Sequence, residues 1–170
     1  MSGNKKQIVL SFGGNHKNTK SCFKKSISQL EKRMGSILLT SQIYESEAWG
    51  FKKKTDNFLN QVVVLETDKS PEQALIIAQE IEVELGRETK SSNQIYQDRP
   101  IDIDLLFYED KILKKPTLTI PHYLIQDRKF ILIPLEEIMP EFIHPVLKKS
   151  MKELLLSCKD KKKVFPIGSN

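Results

Sequence analysis

Arg99-Pro100-Ile101-Asp102-Ile103-Asp104-Leu105-Leu106-Phe107 alternates apolar and charged residues. Alternation of period two reads as a β-strand, with Ile101, Ile103, Leu105 and Phe107 on one face and Asp102 and Asp104 on the other. What this strand completes is set by the segments before it. Ser70 and Gln73 have the spacing of a capping box, Pro71 sits at the first helical position and Gly86 closes the run, which predicts a helix over 71–85. Its apolar stripe of Leu75, Ala78, Ile81 and Leu85 must lie on a sheet. Further back, Phe58–Leu65 is β-branched enough for a central strand, and Ile37 to about Tyr44 is another. Phe23, Ile27, Leu30 and Met34 recur at helical spacing up to Gly35, and Gln7–Phe12 is a buried strand that stops at Gly13-Gly14-Asn15. The order βαββαβ predicts an α+β, ferredoxin-like antiparallel sheet with two helices on one face. Beyond it, Phe130–Ile138 and Lys149–Cys158 read as short helices in a C-terminal extension punctuated by prolines.

The chain of 170 residues fits one domain, expected to span 1–170, and no fused second enzyme is expected within it. No long apolar run or signal-peptide pattern occurs, so a cytoplasmic protein without a membrane partner is expected. Cys22 and Cys158 have no C-x-x-C spacing and cannot build a disulfide framework, which points to a reducing compartment and no structural zinc. The net charge of +5 sits at the ends: residues 1–6 carry +2 and residues 159–163 carry +3. The body is therefore balanced, and the basic ends, 1–6 and 159–170, are expected to be flexible solubilising tails rather than nucleic-acid arms. A monomer is expected.

Asp102 and Asp104 carry the chemistry most open to two readings. An i, i+2 pair on a strand stands roughly 6–7 Å apart at Cα, which suits one or two hard divalent cations; a solvated sheet face explains the same pattern. Around it lie Glu82, Arg87, Lys90 and Arg99, residue types that suit phosphoryl or pyrophosphoryl transfer, where positioning and charge neutralisation supply the catalysis. An ordinary charged loop is the alternative. Pro121-His122-Tyr123, followed by Arg128 and Phe130, offers an imidazole, a ring and a guanidinium to a triphosphate or base, although a lone histidine is more often structural. No Walker A sequence or kinase glycine loop occurs, so an ATP site must be built from side chains. Trp49, Phe58 and Asn60 could hold a flat heterocycle between rings with an amide at its edge, or serve as core packing.

Taken together, Phe12-Gly-Gly-Asn15, Tyr44 through Gly50, Asp56-Asn-Phe-Leu-Asn60, Ile81 through Arg87, Arg99 through Phe107, and Ile120-Pro-His-Tyr123 leading to Arg128-Lys-Phe130 resemble the 6-hydroxymethyl-7,8-dihydropterin pyrophosphokinase family of folate synthesis, nearly end to end. The resemblance implies transfer of the β,γ-pyrophosphoryl unit of MgATP to a pterin hydroxymethyl group, with release of AMP. It implies two Mg²⁺ on Asp102 and Asp104, with Asp102 also near the pterin. Arg87, Arg99, His122, Tyr123 and Arg128 would line the triphosphate, with Gln79, Glu82 and Thr119 nearby. Ser46, Trp49, Phe58, Asn60 and Phe130 would form the pterin slot. Arg87-Glu88-Thr89 stands where the family often has Arg-x-Arg, which leaves Lys90 as the remaining loop cation, and Gly14 stands where serine is common.

Two readings from other classes compete. An RNA-binding βαββαβ module is disfavoured, because residues 58–65 lack the aromatic pattern of such domains and the aspartates would repel phosphates. The other is a binding protein that has lost catalysis, which formation or absence of AMP would distinguish.

Overall fold

The computed structural model describes residues 3–47, 57–86 and 100–167. β1 (Lys6–Gly14), β4 (Phe58–Thr67) and β5 (Asp102–Tyr108) form the antiparallel centre of the sheet, with β1 between the other two. The far edge of β4 is shared: β2 (Gly35–Thr40) pairs along Val63–Thr67, and β3 (Tyr44–Ser46) pairs along Phe58–Asn60. Ser41 bridges the break, its N–H donating to the Val62 carbonyl at 2.9 Å and its Oγ accepting from the Val62 N–H at 3.0 Å. A β6–β7 hairpin (Leu113–Lys115, Leu118–Ile120) forms a second small sheet.

Two of the helices, α2 (Pro71–Glu84) and the short one over Met151–Ser157, start at a capping box. In α2 the Gln73 N–H donates to Ser70 Oγ at 3.2 Å and the Ser70 N–H donates to Gln73 Oε1 at 2.9 Å, so the expected capping box forms. α1 (Thr19–Arg33) and α2 cover one face through Phe23, Leu30, Ala74, Ala78 and Ile81, packed on Ile8, Leu10, Phe12, Val63 and Leu65. Gly14 ends β1 under close constraint: a Cβ there would meet the Pro100 carbonyl oxygen at 2.6 Å and Thr19 Oγ1 at 2.8 Å. A side chain at this position would have to displace Pro100 or Thr19, so glycine suits it.

The C-terminal extension is more integrated than expected. α3 (Lys129–Ile138) and α4 (Met151–Ser157) cover part of the second face, placing Ile131, Leu132, Leu135, Met151 and Leu154 on Val9, Val62, Val64 and Leu106. The basic segment expected to be a free tail enters the sheet, where β8 (Val164–Pro166) pairs with β3. Phe107 was expected to share a face with Ile103 and Leu105, but it lies in the second core. The β1–β5 register passes from Leu10 opposite Leu105 to Val9 opposite Phe107, so Leu106 is the extra residue of a bulge and the alternation inverts beyond it. Among the described residues no helix is long and apolar enough to cross a membrane.

Candidate active site

The second sheet face changes character along its strands. Under α3 it is apolar, with Val9, Val62, Val64 and Leu106. Toward the other end the same alternation brings up Ser11 and Gly13 on β1, Phe58 and Asn60 on β4, Ser46 on β3, and Asp102 and Asp104 on β5. Cross-strand register sets Ser11 opposite Asp104, and Gly13 opposite both Asp102 and Asn60. Gly13 contributes no side chain, which leaves the floor low between the amide and the carboxylate. Asn60 and Ser46 are buried, and Asn60 Nδ2 donates to Ser46 Oγ at 2.8 Å. That bond fixes the amide orientation in a floor from which water is largely excluded.

The start of α3 adds Arg128, Phe130 and Ile131 as a wall, and with Glu47 and His122 these residues enclose a cavity of about 370 Å³. The Arg128 guanidinium carbon stands 5.7 Å from the Phe130 ring centroid, a cation–π distance. A second cavity of about 250 Å³ adjoins it, lined by Leu75, Pro116, Leu118, Thr119 and Tyr123 and sharing Asp104 and His122 with the first. The two compartments therefore meet at a carboxylate and an imidazole.

His122 follows the cis Ile120–Pro121 peptide. Its N–H donates to the Leu106 carbonyl at 3.0 Å, and its Nδ1 accepts from the Leu124 N–H at 3.2 Å. An accepting Nδ1 leaves the ring proton on Nε2, so the neutral imidazole is a hydrogen-bond donor on its other side. Burial pushes the His122 pKa below its ordinary value; Asp104 opposes this and Arg128 adds to it. The ring stacks on Tyr123 with centroids 5.1 Å apart.

Of the residues singled out from sequence, Ser46, Phe58, Asn60, Asp102, Asp104, His122, Arg128 and Phe130 line the larger cavity, and Thr119 and Tyr123 line the smaller. Gln79 is exposed on α2 and lines neither. Glu82 is buried, and its Oε1 accepts the Ile103 N–H at 2.6 Å, which anchors the outer edge of β5. Trp49, Arg87, Lys90 and Arg99 lie outside the described residues, as does the loop 88–98. The sequence motifs include Gly13 and Glu47 without giving either a role at the site, and sequence reading does not single out Ser11 or Ile131. A signal existed for Ser11, a polar residue in an otherwise apolar strand and in step with Gly13.

The donor set suits a magnesium ion. Mg²⁺ takes hard oxygen ligands and commonly uses one or two carboxylates plus substrate phosphates rather than an all-protein cage. Asp102 and Asp104 are such a pair on one strand face, and both line the cavity. Among the described residues no group of three or more histidine, cysteine, aspartate or glutamate side chains could hold a metal. A phosphate-bearing substrate would complete the coordination.

These features define an α+β domain with two adjoining cavities that meet at Asp104 and His122, beside a carboxylate pair on one strand. The sequence profile of 7,8-dihydro-6-hydroxymethylpterin-pyrophosphokinase (HPPK) matches residues 9–140. The chain belongs to this family. It is 39% identical over 140 residues to a 2-amino-4-hydroxy-6-hydroxymethyldihydropteridine pyrophosphokinase of Porphyromonas gingivalis, covering 81% of this chain and 93% of that one. An enzyme of the same name from Aquifex aeolicus is 36% identical over 146 residues, covering 86% and 88%. The fold is similar to that of a Plasmodium falciparum HPPK-DHPS crystal structure with pteroate, with a TM-score of 0.72 and 18% identity, over 91% of this chain and 41% of the longer protein.

Proposed function

We propose that the chain transfers the β,γ-pyrophosphoryl unit of MgATP to the hydroxymethyl group of 6-hydroxymethyl-7,8-dihydropterin, giving the pterin diphosphate and AMP in folate synthesis. Family membership and the names of its relatives support the reaction. The observation that carries the division of labour is the meeting of two cavities at Asp104 and His122. Two substrates that must react need two compartments and one junction. We read the frame as ferredoxin-like, with β2 and β3 together acting as one of its four strands, and the protein as a cytoplasmic monomer.

The larger cavity takes the pterin, with Asn60 and Ser46 at the edge of the heterocycle and Phe58 and Phe130 along its faces. Trp49 belongs to the same slot by the family resemblance. The smaller cavity takes the nucleotide, with Thr119 and Tyr123 beside it. His122 donates through Nε2 to a phosphate oxygen, and Arg128 supplies charge. Arg87 and Arg99 are assigned to the triphosphate by the same resemblance, with Gln79 at its periphery, and Lys90 is assigned there as the remaining loop cation where the family often has a second arginine. Because its carboxylate already accepts the Ile103 N–H, Glu82 is assigned to holding β5.

Asp102 and Asp104 would hold two Mg²⁺, which when bound would neutralise charge on the phosphates. The pterin hydroxyl oxygen attacks the β-phosphorus, and the bond from that phosphorus to the oxygen bridging the α-phosphate breaks, so AMP leaves. Asp102 or solvent beside it takes the hydroxyl proton. Chromatography of the nucleotides formed in the presence of pterin tests this reading. AMP is expected in proportion to pterin consumed, and ADP as the main pterin-dependent product would overturn it.

A further inference from the structure

The two walls of the larger cavity belong to separate parts of the chain. One is the start of α3, with Arg128, Phe130 and Ile131; the other is the end of β3, with Ser46 and Glu47. The two elements touch directly away from the cavity, where the Tyr44 hydroxyl of β3 donates to Glu137 near the far end of α3; at the cavity end the C-terminal segment touches both. The start of α3 lacks a cap of its own: the N-cap residue is Arg128, no side chain from it caps the helix, and no acidic residue lies in the first turn. A helix start in that state leaves N–H donors unsatisfied and favours a carboxylate. Asp160 supplies it from the C-terminal segment, its Oδ2 accepting the Lys129 N–H at 3.1 Å while Oδ1 accepts the Lys162 N–H at 3.0 Å.

Three residues later the same segment reaches the opposite wall. The Lys163 N–H donates to Glu47 Oε1 at 3.4 Å, and β8 pairs Val164 with Ser46, Phe165 with Glu45 and Pro166 with Tyr44. The Ile167 N–H then donates to the Ile43 carbonyl at 3.0 Å. The segment therefore caps the helix that carries one wall and extends the sheet along the strand that carries the other. It lies beyond residue 140, where the family profile ends.

We infer that residues 159–167 are a strap that sets the width of the larger cavity, with Asp160 as a positioning residue for the pterin. The inference rests on reading that cavity as the pterin slot. The strap should act chiefly on the pterin, because the smaller cavity shares neither wall with it and Arg128 is the one wall residue assigned to the phosphates.

The experiment compares Asp160→Ala, Asp160→Asn and Asn60→Ala in the full chain, by steady-state kinetics, by calorimetric titration of pterin with a non-hydrolysable ATP analogue and Mg²⁺ present, and by thermal melting. Asp160→Ala should raise the KM and Kd for pterin roughly three- to tenfold, the size expected for loss of a helix cap coupled to binding, with the KM for ATP within about twofold. Asp160→Asn keeps an oxygen acceptor suited to an N-cap and should restore most of the pterin affinity. Unchanged pterin affinity in Asp160→Ala, while Asn60→Ala weakens it, would overturn the strap alone. Equal losses for pterin and ATP together with a lowered melting temperature would also overturn it, because the segment would then be general scaffold. Unchanged pterin affinity in Asn60→Ala would remove the slot reading and the strap with it.

Discussion

Asp102 and Asp104 stand two residues apart on one face of β5, an arrangement a strand does not favour by itself, since aspartate is depleted in strands and like charges on one face repel. A pair kept against that cost is expected to have a ligand that repays it. Asp104→Asn is isosteric and removes one charge, so turnover should fall by ~10²-fold or more while the fold persists. Relief of repulsion should leave stability unchanged or raised by a few tenths of a kcal/mol, as for like-charged neighbours on a sheet. Steady-state rate and thermal melting of this one variant check both halves. Retained activity with raised stability would mark the pair as a solvated face. The same pair shows what a residue-level reading gains from its strand. Alternation alone places both aspartates on the face away from Ile103 and Leu105, and that face is the one that lines the cavity.

At the scale of elements, legibility follows from local signal. α2 was readable because Ser70, Pro71, Gln73 and Gly86 each act within a few residues, and both capping-box bonds form. β3 and β8 are three residues each, too short for a period to register, and their partners lie far away in sequence. The inverted position of Phe107 depends on a bulge set by pairing with β1, which no pattern within residues 101–107 encodes. The turn between α3 and α4 was equally hidden. There His144 is buried against the Phe107 ring, and its Nδ1 accepts the N–H groups of Val146 and Leu147 at 3.2 and 3.1 Å. A protonated Nδ1 could accept neither. Burial lowers the His144 pKa below its ordinary 6.5. As pH falls below about 6.5 the unfolded chain takes up this proton while the folded chain resists it, so this stability is present at neutral pH and is lost progressively toward the lower folded value. Thermal melting at pH 7 and pH 5 should show a decrease that is smaller in His144→Asn, whose side-chain oxygen can accept the same N–H groups without titrating. An identical pH dependence in both proteins would show that the turn does not depend on the neutral imidazole.

Across the whole molecule, one sheet face serves both stability and chemistry. Its apolar half is buried under α3 and α4, and its polar half lines the cavities. Residues that would otherwise extend the second core, at positions 11, 13, 60, 102 and 104, are serine, glycine, asparagine and two aspartates, so the fold forgoes apolar burial along the face that lines the larger cavity. Ligands should return that stability, because anything that binds only the native state raises it by mass action, about 2.7 kcal/mol at a ligand concentration of 100 times Kd. For a chain of this size that corresponds to roughly 5–10 °C in Tm for a saturating ligand. The two compartments predict that this shift divides by substrate. If Asp102 and Asp104 hold Mg²⁺ against the phosphates, chelation with EDTA should remove most of the increase given by a non-hydrolysable ATP analogue. If Asn60, Ser46 and the rings of the larger cavity hold the pterin as proposed, the increase given by pterin alone should survive chelation. Melting curves with each ligand, with both, and with each after EDTA separate the contributions. An ATP-dependent increase indifferent to EDTA would mean that the phosphates are held by His122, Arg128 and the other cations without metal, and that the aspartate pair acts only after binding. Loss of both increases on chelation would mean instead that the metal organises the entire face.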